Sequence, residues 1–371
     1  SPMHGRYREG RMKQKQRVGI LFGGKSAEHE VSLQSALSVV DAIDRDRYEV
    51  VLIGIDRQGR WFIDQKAREL LPGVPSIGGE EVALLSRDGS SSLVAIDTRD
   101  SLGEVDVVFP VLHGPYGEDG SVQGLLKLAG VPFVGAGILG SAVGMDKDVM
   151  KRLLRDAGIR IAAFTVLNPG SDIEASCARA VKDLGLPLFV KPANLGSSVG
   201  VSKAHDAKEV EEAVNVAFRY DTKVIVEEYV EGREIECSVL GNRAPIASVP
   251  GEIRPLEEFY SYSAKYLDEN GAELIIPADL SSSQIERIRQ ISLDSFVALC
   301  CSGMARVDMF LTPDDRLVVN EINTIPGFTK ISMYPKLWEA SGIGFTELIS
   351  KLIELSVDRH REESSLMDSL E

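Results

Sequence analysis

Met304-Ala-Arg-Val-Asp-Met-Phe-Leu311 and Arg316-Leu-Val-Val-Asn-Glu-Ile-Asn323 are two strand-like runs separated by the turn Thr312-Pro-Asp-Asp315. Apolar runs on both sides of a turn predict a β-hairpin. Successive side chains of a strand point to opposite faces, so Arg306 and Asp308 share one face of the first strand. A charged pair inside an apolar strand suggests that this face is used for binding.

The second strand supplies a matching polar pair, because Glu321 and Asn323 also share one face. A hairpin that brings the two faces together places three oxygen ligands and the Arg306 guanidinium around one point. Oxygen ligands without His or Cys favour Mg²⁺, whose other positions are usually taken by water and nucleotide phosphate. The alternative is an exposed strand face whose charges keep it soluble. Pro326-Gly327 follows the strand and would present a backbone N–H beside the same point.

The composition indicates a globular protein without a nucleic-acid surface. The 371 residues are enough for two or three domains, and 44% apolar with 26% charged residues is ordinary for such domains. The formal charge of −15 disfavours binding to nucleic acid or to acidic membranes. An acidic protein that handles phosphates must place its positive charge locally, so individual lysines are the candidates for phosphate contacts.

Neither a membrane anchor nor a disulfide framework is indicated. No apolar run reaches the ~18 residues of a membrane-spanning helix, and no apolar signal core follows the basic N-terminus. Residues 1–16 are polar, basic and aperiodic, and we interpret them as a mobile tail or an expression remnant. The cysteines show neither metal-ligand nor disulfide spacing, which predicts a protein of the reducing cytoplasm. They are Cys177, Cys237, Cys300 and Cys301.

The first third of the chain predicts a βαβ unit with a parallel sheet. Residues 18–22 and Tyr48–Ile55 are apolar strands, and apolar residues between them recur at helical spacing behind Ser32, a candidate N-cap. Ligands gather at the carboxyl ends of such strands, where the first loop carries Glu28. Glu28 is either a ligand-binding carboxylate or a helix cap. Residues from about 65 to 104 are expected to be irregular.

A later strand ends at a histidine. Residues 106–112 form an apolar strand that runs into a glycine-rich loop beginning with His113. A helix then starts at about Ser121 and ends at Gly130. A histidine at a strand end can contact a ligand or bond to a nearby carbonyl, and the spacing favours neither.

Two lysines are candidates for phosphate binding. Lys147 lies in the first turn of a helix that ends at Gly158, where a cation opposes the helix dipole unless an anion is near. Residues 187–191 form a strand that ends in Lys191 and runs into a glycine- and serine-rich loop, 192–200. Since the lysine precedes the glycines and no helix follows, this is not a Walker A loop. It predicts a hairpin lid over phosphates, or else a surface hairpin with a solvated lysine.

An acidic pair lies where two further strands meet. Residues 221–230 form a strand that carries Glu227 and Glu228 near its end, and residues 231–240 form another strand. Carboxylates at such a crossover can accept hydrogen bonds from an adenine amino group or from ribose hydroxyls. They could equally lie in a solvated turn.

Together these motifs resemble the ATP-grasp superfamily. The resemblance rests on Lys147, Lys191-Pro192, Gly196-Ser-Ser-Val-Gly200, Val226-Glu-Glu-Tyr-Val230, Arg306-Val-Asp308 and Asn320-Glu-Ile-Asn323. Three more motifs resemble the D-alanine–D-alanine ligase family: Gly23-Gly-Lys-Ser-Ala-Glu-His-Glu-Val-Ser32, His113-Gly114 and Gly117-Glu-Asp-Gly-Ser-Val-Gln-Gly124. The match covers roughly residues 17 to 360, and several separate motifs in the correct order make it specific.

The resemblance implies an α/β (α+β) class and a three-domain ATP-grasp fold. The domains would be an N-terminal parallel-sheet α/β domain at 17–138, a central domain at 139–232 and a C-terminal domain at 233–362, with a frayed tail at 363–371. ATP would lie between the last two. The implied activity is ATP-dependent ligation of two D-alanines through an acyl phosphate, for peptidoglycan precursors. Two Mg²⁺ or Mn²⁺ and a homodimer are implied as well.

The resemblance also implies roles for individual residues. The residues implied to contact ATP are Lys147, Lys191, Ser198, Glu227, Glu228, Val230, Glu234 and Phe259. Those implied to bind metal are Asp308, Glu321 and Asn323. Those implied to bind D-alanine are Glu28, His113, Lys265, Ser332 and Met333, with Glu28 on the first ammonium and the last two on the second carboxylate. Arg306 and the Gly327 N–H would stabilise a tetrahedral oxyanion.

A mobile loop is implied over the site. Residues 259–266 resemble the family's loop, in which Tyr266 would reach Ser197 and, through it, Glu28. Lys265 followed by Tyr266 resembles ligases that make D-Ala-D-Ala, whereas relatives that make D-Ala-D-lactate usually carry a different loop with a histidine. A D-alanine–D-lactate ligase or another amino-acid ligase of the superfamily is therefore the alternative.

Overall fold

The computed structural model describes residues 15–63, 80–87, 90–196, 199–255 and 272–366. Within these ranges, three β-sheets follow one another along the chain, each accompanied by helices. Among the helices of this described part, none combines the length and the apolar character needed to span a membrane.

The N-terminal part of the chain forms a seven-stranded sheet. Its elements in chain order are β1 (Gln16–Gly23), α1 (His29–Ala42), β2 (Tyr48–Ile55), β3 (Trp61–Ile63), β4 (Glu80–Arg87), β5 (Ser90–Ala95), β6 (Ser101–Glu104), β7 (Val107–Pro110), α2 (Ser121–Leu128) and α3 (Ile138–Met145). The strand order is β6-β5-β4-β3-β2-β1-β7. β1 pairs in parallel with both β2 and β7, which confirms the predicted βαβ unit.

The expectation of irregular structure between 65 and 104 is wrong for the described residues from 80 onward. There β4, β5 and β6 extend the sheet through antiparallel pairs. The sequence hides this because β5 begins with three serines, a residue type more typical of turns. Ser91 is nevertheless buried beside Leu93 and Ala95, and its hydroxyl donates to the carbonyl oxygen of Ala129.

The prediction of Ser32 as a helix N-cap is also wrong. α1 begins earlier, and Glu28 occupies the N-cap position without a side-chain capping hydrogen bond. Ser32 is fully buried; its Oγ donates to the Val111 carbonyl oxygen at 2.5 Å and accepts the Gly23 N–H at 2.8 Å. It therefore ties the end of β1 to the loop after β7. The Glu28 side chain is left without a capping role.

The middle of the chain forms a four-stranded antiparallel sheet. Its elements are α4 (Lys147–Asp156), β8 (Phe164–Leu167), α5 (Ile173–Leu184), β9 (Leu188–Pro192), β10 (Ser202–Ala204), α6 (Ala207–Ala217) and β11 (Val224–Glu228), with strand order β10-β9-β11-β8. The predicted hairpin after Lys191 is confirmed by the pairing of β9 with β10. α4 begins at Lys147 as predicted, and the Asp146 carboxylate caps it by accepting the Val149 N–H at 3.0 Å.

The C-terminal part forms a six-stranded sheet. Its elements are β12 (Arg233–Gly241), β13 (Ile246–Ala247), β14 (Gly251–Pro255), β15 (Ala272–Ile275), α7 (Ser282–Ala298), β16 (Gly303–Leu311), β17 (Leu317–Asn323), α8 (Met333–Ala340) and α9 (Phe345–Ser364). Five strands follow the order β15-β14-β12-β16-β17, and β13 pairs with β12. The antiparallel pairing of β16 with β17 confirms the predicted hairpin.

A β-bulge sets which side chains of this hairpin share a face. Asp308 pairs with Glu321 but Met309 pairs with Val319, so Asn320 is an extra residue on β17. Val319 and Ile322 are both buried although they lie three positions apart. Without the extra residue, alternation would send one of them to the polar face. The bulge thus places Glu321 on the polar face beside Asp308.

A single hydrophobic core joins the first and last parts of the chain. Phe328, Tyr334 and Trp338 belong to the same cluster as Ile20 and Phe109 of the N-terminal sheet. The apolar face of α9 is buried in this cluster through Leu348, Ile349, Leu352 and Ile353. This core holds the loop after β17 against the loops that follow β1 and β7.

Candidate active site

The polar face of the hairpin is a network of charged groups. Arg306 donates two hydrogen bonds to Asp308, each of 2.7 Å, and lies 2.9 Å from Glu236 on the neighbouring β12. Asn323 Nδ2 donates to Asp308 Oδ2 at 3.0 Å. The structure therefore brings Arg306, Asp308 and Asn323 together, as alternation predicted. The two carboxylates fix the guanidinium in one orientation.

The two candidate lysines approach the same edge of β17. Lys147 Nζ donates to the Leu195 carbonyl oxygen at 2.7 Å and lies 3.7 Å from Glu321 Oε2. Lys191 Nζ lies 2.6 Å from Glu227 Oε2 and donates to Asn320 Oδ1 at 3.4 Å. Two cations, one from α4 and one from β9, thus face carboxylate and amide oxygens of the C-terminal hairpin.

A cleft lies between these parts of the chain. Its walls come from the loop after β7, from α3 and α4, from the loop after β9 and from the end of β17: Glu118, Gly144, Met145, Lys147, Leu195, Gly196, Glu321, Ile322, Asn323 and Thr324. The polar lining contains a cation, two carboxylates and an amide. Such a lining suits a charged ligand bound together with a metal.

The donor set of the hairpin fits Mg²⁺. Asp308 and Glu321 are cross-strand partners and Asn323 hydrogen-bonds to Asp308, so three oxygen-bearing side chains lie on one face. The described residues contain no group of three or more His, Cys, Asp or Glu side chains that could hold a metal, so a metal bound here would need the Asn323 amide as its third protein ligand. Two carboxylates and one amide leave room for water and phosphate oxygens, which Mg²⁺ usually keeps.

Glu28 lies where the N-terminal loops meet the glycine-rich loop after β9. A Cβ at Gly114 would lie 2.5 Å from Glu28 Oε2, and a Cβ at Gly196 would lie 3.2 Å from it. Gly114 also has a φ of +77°, a conformation that favours glycine. Glycine at both positions gives the buried carboxylate its space. Glu28 therefore lies next to the residue that precedes Ser197.

His113 joins the N-terminal part to the loop after β17. Its Nδ1 lies 3.1 Å from the Ile325 carbonyl oxygen, which can only accept, so Nδ1 carries the proton. Its Nε2 then accepts from the Ser35 hydroxyl at 3.1 Å, and Ser35 Oγ accepts the Phe328 N–H at 3.4 Å. The carbonyl bond considered for this histidine is present, and it positions the segment that contains Gly327.

Burial should make the protein less stable in acid through His113. Burial lowers the pKa of His113 to about 4, against 6.5 for an exposed histidine. Between these values the unfolded chain binds a proton that the folded chain does not, so the free energy of unfolding falls as pH drops from about 6.5 to about 4. The expected loss is about 3 kcal/mol. Urea unfolding of the wild type and His113→Gln at pH 7.5, 5.5 and 4.5 measures it. Parallel pH dependences in the two proteins would contradict the assignment.

Glu118 is a candidate site residue that the sequence did not single out. It is buried and accepts the Gly114 N–H at 2.7 Å and the Ile325 N–H at 3.2 Å, so it bridges the same two parts as His113. Burial, together with the nearby Glu28 carboxylate, raises the pKa of Glu118 to about 8. Glu118 therefore keeps its proton to a higher pH than an exposed glutamate does. Its position in Gly117-Glu-Asp-Gly120 was the only signal in the sequence.

The acidic residues at the end of β11 have protein partners. Glu227 is buried and lies 2.8 Å from Lys151 Nζ, in addition to its contact with Lys191. Glu228 Oε1 accepts the Ala163 N–H at 2.8 Å. Neither carboxylate belongs to a solvated turn. Val230 lies in the connection between β11 and β12. Glu234 lies in β12 and pairs with Phe310 of β16.

Ser332 and Met333 lie at the start of α8. Ser332 Oγ accepts the Thr329 N–H at 3.1 Å and lies 2.7 Å from Thr329 Oγ1. A Cβ at Gly327 would lie 3.0 Å from Ser332 Oγ, so these two candidates are neighbours. The Met333 side chain is buried. The predictions for Ser197, Ser198, Phe259, Lys265 and Tyr266 fall outside the described residues.

Comparison with known proteins shows the family to which the chain belongs. Residues 17–136 match the family model of the D-ala D-ala ligase N-terminus, and residues 153–354 match that of the C-terminus. The chain is 54% identical over 359 residues to D-alanine–D-alanine ligase A of Chromobacterium violaceum. These residues make up 95% of this chain and 98% of that ligase.

Solved structures show the same fold. The D-alanine–D-alanine ligase of Coxiella burnetii is 40% identical with a TM-score of 0.85, covering 95% of this chain and 97% of its own. A D-Ala:D-Ser ligase of Enterococcus faecalis is 37% identical with a TM-score of 0.84, covering 92% and 100%. The Bacillus anthracis D-alanine–D-alanine ligase complexed with ATP is 29% identical with a TM-score of 0.71, covering 94% and 99%. The chain has the ATP-grasp fold and belongs to the D-alanine–D-alanine ligase family.

Proposed function

We propose that the chain joins two D-alanines into D-alanyl-D-alanine with conversion of ATP to ADP and phosphate, for peptidoglycan precursor synthesis. The observation that carries the proposal is the meeting of Lys147 and Lys191 with the oxygen-bearing face of the hairpin. This meeting supplies cations for a triphosphate beside ligands for Mg²⁺. The Glu28 carboxylate lies beside Gly196 of the same cleft, where it can bind the ammonium of an amino acid.

The first step activates one D-alanine. Glu28 binds its ammonium, and a carboxylate oxygen attacks the γ-phosphorus of ATP while the bond to the bridging oxygen of ADP breaks. Lys147 and Lys191 balance the phosphate charge in this step. Asp308, Glu321 and Asn323 would hold two Mg²⁺ or Mn²⁺, which would supply further charge neutralisation at the phosphates.

The second step forms the peptide bond. The free amine of the second D-alanine attacks the carbonyl carbon of the acyl phosphate, while Ser332 and the Met333 backbone hold its carboxylate. Arg306 and the Gly327 N–H stabilise the tetrahedral oxyanion. Phosphate then leaves with the former carboxylate oxygen and takes up the proton that the amine loses. The carboxylate partners of Arg306 support this role because they hold the guanidinium in place before the reaction.

The remaining predictions form part of the same proposal. ATP lies between domains 139–232 and 233–362, with Glu227, Glu228, Val230, Glu234 and Phe259 around adenine and ribose and with Ser198 over the phosphates. The loop that carries Lys265 and Tyr266 closes on Ser197 and keeps water from the acyl phosphate. The enzyme acts in the cytoplasm as a homodimer, and sedimentation of the purified protein tests the dimer.

The test of the activity is ADP release with D-alanine as the sole co-substrate in the presence of Mg²⁺. We expect D-alanine-dependent ADP release and a product with the mass of D-alanyl-D-alanine. Parallel reactions with D-alanine plus D-lactate or D-serine distinguish the ligases that use another second substrate, and L-alanine is the negative control. Intact ATP after incubation with D-alanine and Mg²⁺ or Mn²⁺ would overturn the proposal.

A further inference from the structure

A further buried lysine, Lys151, contacts the same carboxylate as Lys191. Lys151 lies one turn after Lys147 on α4, and its side chain is only 1% exposed. Its Nζ lies 2.8 Å from Glu227 Oε1 and 6.0 Å from the centre of the Phe164 ring. A lysine in such surroundings is rare unless a carboxylate compensates its charge.

Glu227 is shared by two lysines. Its Oε1 faces Lys151, and its Oε2 lies 2.6 Å from Lys191 Nζ. Burial alone would raise the pKa of Glu227, but the two ammonium groups outweigh it and hold the pKa at about 2. The carboxylate therefore stays charged. One ammonium group would be enough to neutralise its single negative charge, and two are present.

The side chains of the two lysines differ in how much space they have to move. The side chain of Lys191 is 13% exposed against 1% for Lys151, and Lys191 also reaches Asn320 on β17. Lys191 lies at the end of β9, directly before the glycine-rich loop, whereas Lys151 is inside a helix. Lys191 can thus turn away from Glu227 toward the hairpin, and Lys151 cannot.

We propose that Lys151 is a positioning residue that keeps Glu227 compensated while Lys191 leaves it to bind the phosphates of ATP. This inference rests on the proposed function, since it requires that Lys191 binds ATP. Without Lys151, Lys191 would be the only cation beside the buried Glu227 carboxylate among the residues that the structure describes. Removing one partner of a buried ion pair leaves an uncompensated charge, so Lys191 would stay on Glu227 and bind ATP poorly.

The test uses Lys151→Met, Glu227→Gln and the double variant, each measured for its ATP dissociation constant, KM for ATP, kcat and Tm. We expect Lys151→Met to raise the dissociation constant and KM by about tenfold or more, with kcat changed less than about threefold. In the Glu227→Gln background no negative charge at position 227 holds Lys191 away from ATP. There the loss of Lys151 should change ATP affinity by less than about threefold. Lys127→Met, which removes an exposed lysine, is the matched control.

Two results would overturn the inference. A Lys151→Met protein with a lower Tm but wild-type ATP affinity would show that Lys151 only stabilises the fold. A tenfold loss of affinity on adding Lys151→Met to Glu227→Gln would show direct contact with ATP, and this comparison holds even if the single variant does not fold. Failure of the proposed function is distinguished by the wild type, which would then release no ADP in response to D-alanine.

Discussion

Arg306→Ala is expected to reduce dipeptide synthesis by about 10²–10³-fold while ATP still binds. The guanidinium is held by Asp308 and Glu236 on neighbouring strands, so it reaches the reaction already oriented. An oriented donor matters most where negative charge develops, which here is the tetrahedral oxyanion. The nucleotide contacts proposed for Lys147 and Lys191 do not involve Arg306. Dipeptide formation and ATP binding are measured on the same preparation.

The control for this variant must account for the carboxylates that Arg306 leaves behind. Asp308 and Glu236 would face each other without their shared cation, which lowers stability as well as activity. Arg306→Lys keeps the charge but loses the paired hydrogen bonds, so it should fold better and still synthesise dipeptide slowly. Arg316→Ala, at the exposed turn of the same hairpin, is the matched control. Equal dipeptide turnover in Arg306→Ala and wild type would remove Arg306 from the mechanism.

Glu321→Gln is expected to weaken Mg²⁺ dependence and ADP formation together. The change keeps the shape of the side chain but removes the charge that faces Asp308 and lies near Lys147. We expect the Mg²⁺ concentration for half-maximal activity to rise, and ADP formation to fall, by at least about 10- to 100-fold. A Mg²⁺ titration of initial ADP release measures both effects.

Asp314→Asn provides the comparison for the metal variant. Asp314 lies in the turn of the same hairpin and pairs with Arg316 at the surface, so removing its charge alters the local field but no proposed ligand. Its Mg²⁺ titration should match that of the wild type. If Glu321→Gln gave an unchanged Mg²⁺ titration as well, the metal assignment would be wrong.

The sequence predicted those elements whose signal is local. The hairpin of β16 and β17 follows from two alternating runs around a turn, and α4 was correctly placed with Lys147 in its first turn. The strands from 80 to 104 were missed because serines and glycines weaken the alternation in them. Ser32 was misplaced because a serine before an apolar repeat has the pattern of a cap. Its buried hydroxyl instead serves partners that are distant in sequence.

The candidate site was predicted in part for the same reason. Strand ends and glycine-rich loops pointed to Glu28, His113 and the lysines Lys147 and Lys191, because ligands collect at such places. Lys151 and Glu118 were not found, since their importance comes from burial and from partners 76 and 207 residues away. A buried ion pair has no local sequence pattern. The same holds for the bulge at Asn320, which depends on the register of two strands.

The fate of the oxygen atoms of D-alanine tests the central claim most directly. If ATP activates the first D-alanine as an acyl phosphate, one of its carboxylate oxygens leaves with the phosphate when the peptide bond forms. The purified protein, given Mg²⁺, ATP and D-alanine labelled with ¹⁸O in its carboxylate, should release inorganic phosphate that carries one labelled oxygen for each dipeptide formed. Release of ADP with unlabelled phosphate, or the absence of dipeptide, would contradict the account.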